Sequence, residues 1–132
     1  TIINVFYTVI ETELPNADAI KFEIGKKLGE HFSKLFESSK IGDLVGEIRL
    51  FWKKHGLGEV KNLAVEEDHF KLKIYECYEC KDLPNMGRPV CKLDEGVLTA
   101  IFEKKTGKDF IVEEIECMAM GTPYCEFKIL EI

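Results

Sequence analysis

Cysteine is missing from the first 76 of the 132 residues, and all five cysteines fall between Cys77 and Cys125. An odd number with no secretory signature argues against a disulfide framework, and a chain of this length can build a core without one. Such segregation favours one shared site over five separate core fillers. Long apolar runs are missing too, none approaching the roughly 18 residues of a membrane span. No charged-then-apolar leader opens the chain, which begins at Thr1. A cytoplasmic protein with no membrane partner is expected. Basic clusters are absent: the formal net charge is −6 and Lys and Arg are scattered, which sets the chain against nucleic acid and anionic membrane surfaces. There is no Gly-rich phosphate loop, dinucleotide fingerprint or Ser-His-Asp arrangement. His31, His55 and His69 stand far apart in sequence. Nothing here supplies a reaction, and no catalytic residue is assigned.

What is present suits one soluble globular domain, with 45% hydrophobic and 32% charged residues. A single domain over 1–132 is expected, with a helical dimerisation and pocket part over 1–58 and a sheet and metal part over 59–132. Ile2 to Ile10 is rich in β-branched and aromatic side chains and reads as a strand. Asn16, with Asp18 behind it, suits a helix N-cap. Ile20, Ile24, Leu28, Phe32 and Leu35 then form one stripe at helical spacing. Beside it Gly25 and Gly29, costly in a helix, offer a place where another helix can approach closely. A second helix spans Ile41 to His55, with Leu44, Val45, Ile48, Phe51 and Trp52 on its apolar side, and Gly56-Leu57-Gly58 stops it. Strands around Val60–Val65 and Phe70–Tyr78 flank a polar turn. Asp94 is read as the cap of a third helix, which Gly107 ends. Phe110–Ile115 and Glu126–Ile129 then close the chain as a hairpin. Helices come first and strands dominate later, so the fold class is α+β with an antiparallel sheet.

The cysteine spacing runs Cys77-x2-Cys80, then Cys91, then Glu114-x2-Cys117-x7-Cys125. A closed zinc site wants four ligands in a tetrahedron, thiolates preferred and a carboxylate admissible. Folding the last hairpin carries Cys117 and Cys125 to neighbouring strand ends. Strand alternation puts Cys77 and Cys80 on opposite faces, and likewise Glu114 and Cys117, unless the strand bulges or ends there. On residue chemistry alone a metal site, buried structural thiols and a redox pair all stand open.

Pro89-Val90-Cys91, Gly96, Glu114-Ile115-Glu116-Cys117, Gly121 and Cys125-Glu126-Phe127 carry a further pattern. Through these residues the sequence from about Val60 onward resembles the 4-vinyl reductase-like, hydrocarbon-binding domain. That module also serves as the sensor of aromatic-responsive bacterial transcription activators, and its fold is related to that of Golgi transport-particle subunits and haem nitric-oxide sensors. The resemblance implies N-terminal helices packed on the sheet and a C-terminal hairpin that binds structural zinc. It places the ion on Cys91, Glu114, Cys117 and Cys125. Cys77 and Cys80, absent from the sensor pattern, are alternates. It also implies a pocket between helices and sheet for a small hydrophobic or aromatic ligand, with Phe51, Trp52, His55, Phe70, Tyr78 and Phe102 as candidate lining. The expected function is a zinc-stabilised binding domain with a sensing or carrier role. One alternative is a homodimeric interaction module built on the Gly25/Gly29 helix. Another, resting on the family name alone, is an accessory protein or reductase acting on a vinyl tetrapyrrole.

Overall fold

The computed structural model describes residues 2–132, the side chains of residues 3, 4 and 62 excepted. Its elements run α1 (Ile2–Glu13), α2 (Ala17–Ser33), α3 (Ile41–Lys54), β1 (Glu59–Val65), β2 (His69–Tyr75), α4 (Lys92–Thr106), β3 (Phe110–Glu116) and β4 (Cys125–Glu131). The strands pair antiparallel in the order β1-β2-β4-β3, so the α+β expectation holds. Period-two alternation sends Phe70, Leu72 and Ile74 of β2 to one face, together with Cys125, Phe127 and Ile129 of β4. Helices α3 and α4 cover that face. Leu44, Ile48 and Trp52 come down from α3, and Leu98, Ile101 and Phe102 from α4, to close the core. None of the described helices is long and apolar enough to cross a membrane.

Two local readings of the sequence are corrected. Ile2 to Ile10 lies in a helix, not a strand. Its apolar residues Ile2, Val5, Phe6 and Val9 recur at helical spacing, and that period outweighs the β-propensity of the individual side chains. Asp94 does not cap α4. Cys91 holds the N-cap position, and Asp94 lies in the first turn, fully buried. Asn16 does occupy the N-cap of α2, but in the left-handed region (φ 61°) and without a side-chain capping bond.

Helix α2 packs with its glycine side inward. Ala17, Lys21, Gly25, Gly29 and Ser33 are buried, whereas Ile20 and Ile24 are each 49% exposed. The reason lies in the backbone of α4. A Cβ on Gly25 would come within 2.2 Å of the Leu93 carbonyl oxygen, and one on Gly29 within 2.4 Å of that of Val97. Gly96 answers from α4, where a Cβ would meet the Phe22 carbonyl oxygen at 2.2 Å. The two helices therefore touch backbone to backbone, which no stripe of isoleucines would permit. Helix α4, sandwiched between α2 and the sheet, is buried from Asp94 through Phe102.

Gly25→Ala and Gly96→Ala are each expected to lower the unfolding free energy by about 1–3 kcal/mol, the range for forcing volume into a packed contact. Gly46→Ala in α3, where an added Cβ meets nothing within 4 Å, is expected to raise it by about 0.5–1 kcal/mol through helix propensity. Urea denaturation of the three variants checks both signs. Equal stabilities for Gly25→Ala and Gly46→Ala would sink the close-packing account.

Candidate metal centre

The odd separations that strand alternation forbids are resolved by local breaks. Strand β2 ends at Tyr75, and Glu76 turns the chain with a positive φ of 53°. Cys77 and Cys80 therefore lie in a turn, where the Cys77 carbonyl accepts from the N–H groups of Cys80 and Lys81. On β3 the register against β4 slips between Glu114 and Glu116, and Cys117 stands past the strand end at the head of the short 3₁₀ turn Met118–Met120. A bulge and a chain end thus bring Glu114 and Cys117 to one side. Cys125 opens β4 opposite Ile74, and Cys91 contributes from the start of α4.

All five thiols are fully buried and free of disulfides. Sγ–Sγ distances are 3.6 Å for Cys77–Cys91, 3.3 Å for Cys80–Cys125, 3.7 Å for Cys91–Cys125, 3.9 Å for Cys91–Cys117 and 4.0 Å for Cys117–Cys125. A tetrahedron of thiolates about 2.3 Å from a central ion has edges of about 3.8 Å. Two overlapping sets satisfy such geometry: Cys91, Glu114, Cys117 and Cys125, and Cys77, Cys80, Cys91 and Cys125, with the donors of each set within 4.8 Å of one another. The structure thus brings together the four residues implied as ligands and both alternates. The buried cluster could hold a metal ion.

Glu114 fits that role in a second way. One carboxylate oxygen accepts the Cys91 N–H at 2.9 Å, while Oε2 is buried with no partner. Burial, reinforced by the neighbouring Cys117, pushes its carboxyl up to about 9. An orphaned buried oxygen is costly, and a cation beside it would meet that need. Histidine takes no part: His31 and His55 are exposed and His69 pairs with Asp68.

A neighbouring network escaped the sequence. Lys21 of α2 is buried, donates to Glu11 and to the Val90 carbonyl, and stands 3.1 Å from Glu79. Glu79 in turn accepts the N–H groups of Leu93 and Asp94, each at 3.1 Å, capping α4 from a distant part of the chain. Burial pushes Glu79 up to about 8 and Asp94 up to about 7, against the pull of Lys21. Arg88 reaches Glu11 from outside at 2.7 Å. The only sequence signal was Lys21 standing four residues from Ala17 and from Gly25, on the face that proves buried.

The pocket candidates are dispersed. Trp52 and Phe102 are fully buried in the core, although Trp52 Nε1 has no hydrogen-bond partner. Phe51 is half-buried and stacks at 4.4 Å on exposed His55. Tyr78 is half-buried near Asp94 and Glu79. Phe70 packs edge-on against Phe102 at 5.3 Å and also lines an open cleft of about 690 Å³. This cleft lies between the start of α3 and the far end of the sheet. Its apolar walls are Ile41, Leu63, Phe70, Phe110 and Ile129, and Glu66, Glu67, Asp68 and Glu131 stand at its rim.

Lys21→Met is expected to destabilise the protein by about 3–5 kcal/mol, the cost of leaving buried carboxylates without their cation. Adding Glu79→Gln should restore a sizeable part of that loss. Chemical denaturation of the single and double variants checks this, and strict additivity of two losses would refute the coupling.

Residues 70–131 match the model of the 4-vinyl reductase domain. Two uncharacterized proteins of Methanocaldococcus jannaschii are 28% and 33% identical over 112 and 113 residues, in each case 85% of this chain. The chain spans 63% and 64% of their lengths, less than two thirds of either. Among solved structures, the phenol-responsive sensory domain of the transcription activator PoxR, solved with phenol, superposes with a TM-score of 0.73 at 16% identity, over 98% of this chain and 72% of that one. A vinyl-4-reductase family protein from Methanocaldococcus jannaschii gives 0.67 at 21% identity, over 97% and 74%. A trafficking protein particle complex subunit 3 from Naegleria fowleri, covalently bound to palmitic acid, gives 0.72 at 15%, over 99% and 91%. All three share the fold. Strands β2 to β4, helix α4 and the cysteine-bearing turns between residues 70 and 131 therefore belong to the 4-vinyl reductase domain family.

Proposed function

We propose that this protein is a metal-braced, non-catalytic binding domain for a small apolar ligand, in a sensing or carrier role. The cleft between α3 and the sheet carries the proposal: about 690 Å³ with apolar walls is the size and character of a small-molecule site. The PoxR domain solved with phenol and the trafficking subunit bound to palmitic acid support it as relatives in fold. The acidic rim of Glu66, Glu67, Asp68 and Glu131 disfavours anions, so the ligand is a neutral aromatic or hydrocarbon rather than a free fatty acid. Zinc suits the cysteine cluster, because thiolate-rich tetrahedral sites select it and a site closed by four protein donors leaves no position for a reacting water. Cys91, Glu114, Cys117 and Cys125 would hold it. Five free buried thiols fit a reducing, cytoplasmic setting.

The neutral probe 1-aminoanthracene is expected to brighten on binding and to be displaced by phenols but not by palmitate. Gly42→Trp, which projects into the cleft from a position with open space around it, is expected to weaken binding at least about tenfold (about 1.4 kcal/mol) while leaving the thermal midpoint near that of the parent. Unchanged probe affinity in this variant would remove the cleft as the site.

A second reading, homodimerisation, is favoured by one observation. Ile2, Val5 and Phe6 of α1 are 86%, 63% and 57% exposed, and Ile20 and Ile24 of α2 are each 49% exposed. Apolar faces of this kind mark association surfaces. Gly25 and Gly29 cannot make that contact, because α4 of the same chain occupies them. Sedimentation velocity is expected to show a dimer for the parent and a monomer for Ile24→Glu; a monomeric parent would overturn the second reading.

A further inference from the structure

The thiol cluster holds more donors than one ion can use. A four-coordinate centre takes four, yet five thiols and the Glu114 carboxylate converge here. The two tetrahedral sets share Cys91 and Cys125 and no other residue, and the remaining four donors divide evenly, Cys77 with Cys80 and Glu114 with Cys117. Six donors, two of them common to both sets, are what a pair of four-coordinate ions needs when two thiolates bridge them.

Resting on the reading of this cluster as a metal site, we infer that it is binuclear. Two divalent, thiophilic ions of the zinc class sit side by side, bridged by the Sγ atoms of Cys91 and Cys125. Cys77 and Cys80 complete the first centre, and Cys117 and Glu114 complete the second. The shared edge, Cys91–Cys125, is 3.7 Å, and the edges running from it to Cys77, Cys80 and Cys117 lie between 3.3 and 4.0 Å. Each is within about half an ångström of the roughly 3.8 Å edge of a zinc–thiolate tetrahedron.

Charge favours the pair as well. One divalent ion against four anionic donors leaves two negative charges, with a buried thiol pair or a thiol and a carboxyl still uncommitted. Two ions against all six donors also leave two negative charges, and no donor is left over. The unpartnered Glu114 Oε2 is then used. Cys91 stands at the N-terminus of α4 and the Ala119 N–H points to Cys117 Sγ at 3.4 Å, so the surroundings favour the residual negative charge. With one ion, Cys77 and Cys80 would be spare thiols. With two, they are ligands.

Metal stoichiometry is the test, read by native mass spectrometry and elemental analysis of full-length protein purified under reductant with zinc in the medium. About two zinc ions per chain are expected for the parent and about one for the Cys77→Ser/Cys80→Ser double variant. One zinc in the parent, unchanged in the double variant, overturns the binuclear assignment and leaves the single-site brace standing. No metal in a folded parent overturns both. A titration of the metal-free parent with cobalt(II) gives an independent reading that no variant can confound. Thiolate-to-cobalt absorption should rise to about two equivalents, and the paramagnetic resonance signal per cobalt should fall during the second as the shared thiolates couple the spins. A signal that grows in proportion through both equivalents means unbridged ions and refutes the shared-thiolate arrangement.

Discussion

The N-terminus of α4 lies inside the protein, and the unpaired N–H groups of its first turn have to be met there rather than by water. Glu79 meets two of them, those of Leu93 and Asp94, and Glu114 meets that of Cys91 just before the helix. Each carboxylate arrives from a different stretch of chain, Glu79 from the turn after β2 and Glu114 from β3. The positive end of the helix therefore gathers acidic groups. Lys21 answers the charge from α2, so the helix start ties α2, the turn after β2 and β3 together.

That same point positions the cysteines. Cys91 is fixed as the N-cap residue, Cys77 and Cys80 flank Glu79, and Cys117 follows Glu114 by three residues. Capping the helix and assembling the donors are thus one arrangement viewed from two sides. Backbone contact at Gly25, Gly29 and Gly96 sets how α2 sits on α4, and through Lys21 how the charge network closes beneath the cluster. The ligand cleft lies elsewhere, between the start of α3 and the β1–β2 turn, so the metal region and the cleft communicate only through the sheet.

How much of this was legible in the sequence depended on the range of the signal. The α3 boundaries, the alternation of Phe70, Leu72 and Ile74, and the stop at Gly107 were readable because each rests on residues a few positions apart. Ile2 to Ile10 misled because β-propensity and helical spacing disagree within it, and spacing won. The cysteine set was readable in composition and, through the family resemblance, in ligand identity. Glu79, Asp94 and Lys21 were not, because a charged residue carries no mark of burial until its partners, up to about 70 residues away, are placed.

By itself the sequence determined an α+β domain whose thiols, restricted to one half of the chain, belong together. Local spacing and side-chain chemistry suffice for that. Only the tertiary structure decided which face of α2 turns inward, since the answer lay in the Leu93 and Val97 carbonyls of another helix rather than in the isoleucine stripe. It also decided that Cys77 and Cys80 stand within reach of the other donors, because a strand end at Tyr75 and a bulge at Glu114–Glu116 are set by pairing between strands. Contacts between distant segments have no periodicity to announce them, and here they determine both the packing and the site.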